Sequence, residues 1–338
     1  MEEKRQDKNK ISELRQDLVT GDWVVIATGR AKRAEDFSKS KREAIPESTD
    51  KPCFLCFPEE TEQEKDVLMY NTASGDWSLR VFPNKFPAFK TDEKIDTFEE
   101  GPYFAMEGTG YHEIVDTRDH HRQIAQMNAL EVAEIIDAYQ DRYVDLMRKK
   151  NVNYIEIYHN HGREAGATAN HPHSQIVAMP VVSPYVKAEL DGAENYYRQN
   201  KECVYCSMIS WEREKKTRIV FENEEFLVFC PFASRAAFET WVIPKKHSPY
   251  FERIGRESKL KLAEALQMAI AKIWKGLDDP AYNFYLHTSP ADGKDYPHYH
   301  WHIEILPRTS IWAGFELSTG VEISTIEPEK AAEFLREN

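Results

Sequence analysis

Two stretches of the chain carry apolar residues at intervals of three and four, a spacing that brings them to one face of an α-helix. These residues are Leu130, Val132, Ile135, Ile136, Tyr139, Tyr143 and Leu146 in the first stretch and Leu262, Leu266, Ile270, Ile273 and Trp274 in the second. Each pattern predicts an amphipathic helix with one buried face. A shorter helix is expected over residues 327–337, starting near Pro328, because proline is favoured in the first helical turn.

Shorter apolar or alternating runs, rich in tyrosine and β-branched residues, predict β-strands around the two long helices. These runs include residues 81–84, 154–158, 226–229 and 282–286. Two more strands are expected to end at Asp119-His120-His121 and at Lys246-His247. Residues 38–52 are polar and predict a loop, and residues 308–325 predict a closing loop and strand.

The same order of features occurs twice along the chain. In each half a Cys-x-x-Cys pair is followed by a strand, a second strand ending in histidine, a long helix, a third strand and a histidine cluster. The spacing also agrees, since 51 residues separate His120 from His171 and 53 separate His247 from His300. We therefore predict an α+β fold of two tandem repeats, residues 1–190 and 191–338, joined near residues 181–202. Each repeat is expected to be an antiparallel sheet with a packed helix.

Composition narrows the function classes. The chain has 338 residues, 41% of them hydrophobic, enough for two cores, and no apolar run reaches the length of a membrane span. Its net charge of −13 opposes nucleic-acid binding but admits an anionic small substrate that meets local arginines. The charged start of the chain is unlike a secretory signal, so we expect a cytoplasmic protein with neither nucleic-acid nor membrane partners.

The cysteine pairs, Cys53/Cys56 and Cys203/Cys206, are followed by histidines in matching positions and predict two zinc sites, since zinc prefers four thiolate or imidazole ligands. The other first-site ligands would be His171 and either His120 or His121. The second site would add His247 and either His298 or His300. The alternatives are unliganded buried thiols or a redox pair, although no thioredoxin-like βαβ pattern surrounds either pair. Four protein ligands leave no position for water, so both sites are predicted to be structural.

His171 and His173 are two residues apart, so an extended strand points both to one face. One imidazole can then bind metal while the other acts as a nucleophile toward phosphorus, with a carbonyl accepting from its second nitrogen. Gln175 continues on that face and can donate to a phosphoryl oxygen. Residues 160–168, Asn-His-Gly-Arg-Glu-Ala-Gly-Ala-Thr, predict a tight loop that presents backbone N–H groups to phosphates. A lone histidine is more often structural; this cluster favours chemistry at His173.

That loop, His171-Pro172-His173-Ser174-Gln175 and the first Cys-x-x-Cys resemble galactose-1-phosphate uridylyltransferase and its relatives in the histidine-triad superfamily. The opening segments Glu13-Leu14-Arg15-Gln16-Asp17 and Gly29-Arg30-Ala31-Lys32-Arg33 are similar too, as is Ala313-Gly314-Phe315-Glu316 near the C-terminus. The resemblance covers nearly the whole chain. It implies two histidine-triad-like repeats, the catalytic one N-terminal and the substrate loop in the C-terminal one.

The resemblance also implies roles for individual residues. His173 would be the nucleophile and Gln175 its phosphate partner. Residues implied to contact nucleotide or sugar phosphate are Arg30, Arg33, Asn84, Phe86, Asn160, Thr168, Ser174 and Glu316. The two arginines would come from a neighbouring subunit, which implies a homodimer. Among the open metal ligands the resemblance favours His120 and His300.

The implied activity is a ping-pong exchange of a nucleoside monophosphate between a nucleoside diphosphate hexose and a hexose 1-phosphate. UDP-glucose would be the donor, in galactose metabolism. Many of these uridylyltransferases have glycine at the position of Ser174, and serine is similar to a branch that includes an ADP-glucose phosphorylase. Adenylyl transfer to inorganic phosphate is therefore the alternative, and the sequence leaves the base and the acceptor open. Two further hypotheses are a non-catalytic zinc-stabilised nucleotide-binding module and a hydrolase of the histidine-triad kind.

Overall fold

The computed structural model describes residues 12–27, 34–37, 45, 53–57, 61–92 and 94–338. Its first half contains β1 (Glu13–Gln16), β2 (Trp23–Ile26), α1 (Ala34–Phe37), β3 (Leu68–Asn71), β4 (Trp77–Pro83), β5 (Thr97–Glu100), β6 (Tyr103–Met106), β7 (Tyr111–Thr117), α2 (Ala129–Leu146), β8 (Tyr154–His161) and β9 (His173–Met179). The remaining elements are α3 (Pro184–Asn200), α4 (Val204–Lys215), β10 (Ile219–Glu222), β11 (Phe226–Phe229), β12 (Thr240–Pro244), α5 (Arg256–Gly276), β13 (Tyr282–His287), β14 (His302–Pro307), α6 (Gly314–Thr319), β15 (Ile323–Ser324) and α7 (Pro328–Glu337).

One ten-stranded sheet organises the molecule, in the order β10-β11-β12-β14-β13-β8-β9-β7-β4-β3. Five strands come from each half of the chain, and they follow the same order outward from the central β13–β8 pair. All of these neighbouring strands are antiparallel. The α+β class and the two repeats, each an antiparallel sheet with a packed helix, are thereby confirmed.

The two long helices cover one face of this sheet. Buried apolar residues of α2 and α5 form a single core with the sheet residues Ile157, Ile176, Phe284 and Ile305. The helix α2 begins where its sequence offers a cap, because the Asn128 side chain accepts from two backbone amides and Glu131 returns a bond to the Asn128 amide. Both predicted helical stripes therefore bury against the sheet.

The opposite sheet face carries Tyr158, His173 and Gln175, and we call it the site face. Over the second repeat this face is covered by α3 and α4, whose residues Val186, Leu190 and Tyr205 pack with Trp241 and Tyr299. The helix α3 lies where the sequence pattern indicated only a joint between repeats, and it runs across residue 190.

The C-terminal elements also match their expectation in part. Helix α7 begins at Pro328 as predicted. Residues 308–325 contain the short strand β15, which pairs in parallel with β2, but also the helix α6, which the pattern did not indicate. Within the described residues, no helix has the length and apolar composition needed to cross a membrane.

Candidate active site and metal-binding clusters

The register of β9 places the predicted nucleophile and its glutamine on one face. His173 pairs with Asp116 of β7, and Gln175 pairs with Ile114 of β7 and Tyr158 of β8. Because directly paired residues and residues two apart share a face, His173, Gln175 and Tyr158 all lie on the site face. Strand periodicity alone predicted this shared face for His173 and Gln175.

A hydrogen bond to the backbone fixes the tautomer of His173. Its Nδ1 lies 2.9 Å from the carbonyl oxygen of His171. A carbonyl only accepts, so Nδ1 carries the proton and donates, which leaves a lone pair on Nε2. Burial lowers the pKa of His173, although the bond to the His171 carbonyl acts to raise it. The side chain therefore favours the neutral form that can attack phosphorus.

The predicted phosphate loop is held against the second repeat. Gly162 and Gly166 have φ angles of 83° and 84°, which glycine adopts without steric cost, and they bracket one helical turn. The Asn283 side chain donates to Asn160 Oδ1 at 2.7 Å and to the Ala165 carbonyl at 2.8 Å. Asn160 also lines a small cavity with Gly162, Asn170 and Pro172. Thr168 is exposed at the end of this loop.

The segment after β4, for which the resemblance implies a contact with nucleotide, lies beside the glutamine. Asn84 Nδ2 is 3.3 Å from Nε2 of His112, and that nitrogen is 2.7 Å from Gln175 Oε1. The Asn84 Oδ1 accepts from the backbone amide of Phe86 at 2.9 Å. The Phe86 ring is 82% exposed, so it can stack on a planar group.

The structure does not bring Ser174 to the site face. Its hydroxyl lies among core side chains, 2.5 Å from the hydroxyl of Tyr139 on α2 and 3.1 Å from Nδ1 of His159. Strand alternation gives this result, because Ser174 stands between His173 and Gln175 and so points the opposite way. A direct contact between Ser174 and nucleotide therefore has no support in this geometry.

Three other predicted residues remain to be located. Arg30 and Arg33 lie outside the described residues. Glu316 lies on α6, where its carboxylate accepts from the backbone amide of Ala313 at 3.0 Å and caps the helix.

The first predicted metal site is assembled in space. The ligand atoms of Cys53, Cys56, His120 and His171 all lie within 4.8 Å of one another. Cys56 Sγ is 3.0 Å from His120 Nδ1 and 3.3 Å from His171 Nδ1. Burial raises the pKa of the Cys53 thiol, but hydrogen bonds from His171 and the backbone outweigh it and lower that pKa to about 6, which favours the thiolate. The geometry selects His120 over its neighbour His121.

The second predicted metal site is assembled in the same way. It contains Cys203, Cys206, His247 and His300, also within 4.8 Å of one another. His247 Nε2 is 2.8 Å from the carbonyl oxygen of Pro297. Likewise, His300 Nε2 is 2.9 Å from the carbonyl oxygen of Pro244. Each bond directs Nδ1 toward the thiols, which is the orientation a ligand needs. Of the open alternatives, His300 and not His298 joins the cluster.

Groups behind the first site orient His171. Its Nε2 is 2.6 Å from the Thr117 carbonyl and 2.9 Å from Asp116 Oδ1. The other oxygen of Asp116 accepts from Arg80 at 2.9 Å. A carboxylate and a carbonyl behind an imidazole are the partners typical of metal-bound histidine. The residues of both clusters therefore fit a tetrahedral cation such as zinc.

A third buried cluster contains Glu189, His287, His302 and Glu304, whose ligand atoms also lie within 4.8 Å of one another. Its His302 Nε2 and Glu304 Oε1 lack hydrogen-bond partners, while Arg235 pairs with the other oxygen of Glu304. This group could hold a metal ion. This cluster was not predicted from the sequence, although the alternation of His300, His302 and Glu304 indicates side chains on one face. Glu189 lies on α3, a helix that was not predicted, so no sequence pattern indicated that Glu189 would join this cluster.

Known families and proteins match the chain over nearly its whole length. Residues 1–183 match the family described as galactose-1-phosphate uridyl transferase, N-terminal domain. Residues 103–337 match a family described only as a domain of unknown function. An ADP-glucose phosphorylase from Arabidopsis thaliana is 34% identical over 98% of this chain and 94% of its own. A galactose-1-phosphate uridylyltransferase from Thermotoga maritima is 29% identical over 96% of this chain and 98% of its own.

A solved structure has the same fold. The crystal structure of an ADP-glucose phosphorylase from Arabidopsis thaliana, with bound ADP-glucose, has a TM-score of 0.82 and 31% identity. The similarity covers 97% of this chain and 99% of the other.

Proposed function

Because the chain belongs to the galactose-1-phosphate uridyl transferase family, we propose that it transfers a nucleoside monophosphate from a nucleoside diphosphate hexose to a phosphate acceptor through His173. The observation that carries this proposal is the hydrogen bond from His173 Nδ1 to the His171 carbonyl. It leaves the Nε2 lone pair as the nucleophile, on the same strand face as Gln175.

The reaction proceeds in two displacements. The Nε2 lone pair of His173 attacks the α-phosphorus of the donor, an N–P bond forms, and the bond to the bridging oxygen breaks. Hexose 1-phosphate leaves with that electron pair. An oxygen of the acceptor phosphate then attacks the same phosphorus, and the N–P electrons return to Nε2. The Nδ1 proton stays on the imidazole throughout, and the His171 carbonyl stabilises the positive charge on the nucleotidylated ring.

Donors of hydrogen bonds surround the path of the phosphates. Gln175 supplies a side-chain amide on the site face. Asn160 supplies a second amide, held by Asn283. These groups stabilise the charge that moves onto nonbridging oxygens in each displacement.

We assign ADP-glucose as the donor and inorganic phosphate as the acceptor. The support is the similarity to the plant ADP-glucose phosphorylase, which extends over nearly both chains. UDP-glucose with a hexose 1-phosphate is the second candidate, because the Thermotoga relative with a comparable share of sequence covered is a uridylyltransferase. The two activities share every step at His173 and differ in the nucleobase and acceptor.

Zinc is assigned to the two cysteine–histidine clusters. When bound, zinc would cross-link the start of each repeat to its end and hold the strand that begins at His173. A homodimer is also proposed. Exposed apolar side chains near α6, among them Ile311 at 92% and Leu317 at 72% exposure, are suited to burial against a second copy.

Product analysis distinguishes the candidates. The purified protein is incubated with ADP-glucose and phosphate, and separately with UDP-glucose and galactose 1-phosphate. We expect ADP and glucose 1-phosphate from the first pair, and much slower exchange with the second. Faster exchange with the UDP-glucose pair would assign the uridylyltransferase activity instead. Steady release of AMP or UMP without acceptor would indicate a hydrolase. If no product forms in any reaction, the result would favour a non-catalytic nucleotide-binding module.

A further inference from the structure

The side-chain oxygen of Gln175 accepts hydrogen bonds from two neighbouring side chains, His112 and Tyr158, to which no role has yet been given. Its Oε1 is 2.7 Å from His112 Nε2 and accepts from the Tyr158 hydroxyl at 3.0 Å. We infer that His112 and Tyr158 are positioning residues, which fix the Gln175 amide so that its NH₂ group faces the transferred phosphoryl group. The inference rests on the proposed function, because it concerns how Gln175 meets phosphate.

A backbone amide determines which nitrogen of His112 donates. The N–H of Ala88 donates to His112 Nδ1 at 3.1 Å. Since a backbone N–H is always a donor, Nδ1 must be the unprotonated nitrogen, and Nε2 must carry the proton. Nε2 therefore donates to Gln175, and the glutamine atom that receives it must be oxygen. The tautomer and the amide orientation both follow from this one fixed donor.

The surroundings of His112 keep that arrangement. The side chain is 9% exposed, and burial lowers its pKa, although the hydrogen bond to Gln175 acts to raise it. The neutral ring is thus favoured, with one donor and one acceptor nitrogen. A protonated ring would present a second N–H to the Ala88 amide and lose that bond.

The consequence for the site is an amide that cannot rotate without cost. With Oε1 accepting two bonds, the NH₂ group of Gln175 points away from His112 and Tyr158, and none of the described residues accepts from it. Rotation by half a turn would place NH₂ against two donors and turn the oxygen toward the negative phosphoryl oxygens. Such an orientation would repel the developing charge instead of stabilising it.

His112 also connects the phosphate end of the site to the nucleoside end. Its carbonyl accepts from the Asn84 amide at 2.7 Å, while its ring accepts from Ala88. These two bonds bracket Phe86, the exposed ring for which the resemblance implies a contact with nucleotide. The Asn84 Nδ2 lies 3.3 Å from the protonated Nε2 of His112, so two donors meet there and Gln175 Oε1 remains the acceptor for that proton. The His112 side chain therefore positions both Gln175 and the segment from Asn84 to Ala88.

The test compares variants in the rate of nucleotidyl-enzyme formation from labelled ADP-glucose in a single turnover. His112→Ala removes the ring, His112→Gln retains an N–H donor, and Tyr158→Phe removes only the second donor. Tyr70→Phe is the matched control, because its hydroxyl bonds to Asp141 at the other end of the repeat's sheet. We expect about a tenfold loss for His112→Ala, a smaller loss for Tyr158→Phe, partial recovery in His112→Gln and no change in the control.

A double-mutant cycle with Gln175→Ala decides whether these residues act through the glutamine. In the Gln175→Ala background, Tyr158→Phe should slow the reaction no further, and His112→Ala should keep only the part of its effect that comes from losing the bond to the Ala88 amide. The inference is overturned if both slow it there by the same factors as in the wild type. If His112→Ala does not fold, Tyr158→Phe alone completes the cycle.

Binding of AMP to the same variants, measured by calorimetry, gives a second cycle that needs no turnover. We expect Tyr158→Phe to weaken AMP binding in the wild-type background and to leave it unchanged in Gln175→Ala. Equal weakening in both backgrounds contradicts the inference. Absence of any nucleotidyl-enzyme from the wild type contradicts the proposed function instead, and the binding cycle still tests the positioning role.

Discussion

Backbone carbonyls orient four of the histidines that matter in this protein. The carbonyl of His171 accepts from the proposed nucleophile His173, and that of Thr117 accepts from His171. The carbonyls of Pro297 and Pro244 do the same for two residues of the second cluster. In every case the bonded nitrogen is protonated, so the other nitrogen presents a lone pair to phosphorus or metal. The proposed nucleophile and the proposed metal ligands thus differ in which nitrogen is hydrogen-bonded to a carbonyl. It is Nδ1 in His173 and Nε2 in the three metal-ligand histidines.

Ser174 gives a prediction at the same scale. Replacing it by alanine leaves the buried Tyr139 hydroxyl and the buried His159 Nδ1 without this partner. We expect a loss of about 1–3 kcal/mol in the free energy of unfolding, the cost typical of buried polar groups left unpaired. The ratio of ADP-glucose to UDP-glucose turnover should not change, because the hydroxyl faces the helix α2. Denaturant unfolding and the two turnover rates provide the measurements. A changed nucleotide preference would show that Ser174 influences the site after all.

At the scale of elements, strand β13 of the second repeat supports the proposed phosphate loop of the first, residues 160–168. Arg308 Nε donates to Asn283 Oδ1 at 2.6 Å, and Asn283 in turn donates to Asn160 and to the Ala165 carbonyl. The chain of bonds crosses the β8–β13 pair, where Asn160 and Asn283 face each other in register. Joining the repeats in one sheet thereby fixes both the position and the amide orientation of Asn160.

Removing the Asn283 side chain should loosen this loop. For Asn283→Ala we expect faster hydrogen exchange at residues 162–168 and nucleotidyl transfer about tenfold slower, since two hydrogen bonds that preorganise donors are lost. Exchange at the β7–β9 pair should stay as in the wild type, which controls for general destabilisation. Unaltered exchange in the loop would show that it is held by other contacts.

Sequence patterns predicted the elements whose one face is apolar. The helices α2 and α5 were predicted from their stripes, and His173 and Gln175 were placed together by strand alternation. Helix α3 was missed, although Ser183 and Pro184 offer a start signal, because it buries Glu189 among its few apolar residues. Long-range partners such as Asn283 or Ala88 could not be predicted, since their roles depend on pairing between distant segments.

At the scale of the whole molecule, the two cysteine–histidine clusters connect the start of each repeat to its end. The first also contains His171, two residues before the proposed nucleophile. In the second, His300 is followed at the same spacing by His302, but that ring is fully buried beside Glu189 and Glu304. Metal analysis should find at least two zinc ions per chain, and fewer than one would contradict both sites.

Cys206→Ser should lower Tm by about 5–10 °C with little effect on nucleotidyl transfer, because only folding energy is lost. Cys56→Ser should lower both, since it also releases His171. Equal effects of the two variants on transfer would contradict this division.

The proposed dimer has a functional test because Arg30 and Arg33 are expected to act across subunits. We would mix inactive His173→Asn subunits with Arg30→Ala/Arg33→Ala subunits after reversible dissociation. In a heterodimer one site combines an intact His173 with intact arginines, so activity should return to about a quarter of the wild-type value for random pairing. A monomer, or arginines that serve their own subunit, would give no recovery.

The central claim is that His173 carries the nucleotidyl group, and trapping that group tests it most directly. The protein is incubated with ADP-glucose labelled in the adenylyl moiety, without acceptor, and digested under alkaline conditions that preserve phosphoramidates. We expect one labelled peptide, an AMP adduct on His173, which disappears on adding phosphate and never forms in His173→Asn. No adduct with ADP-glucose or UDP-glucose, or an adduct on another residue, would contradict it.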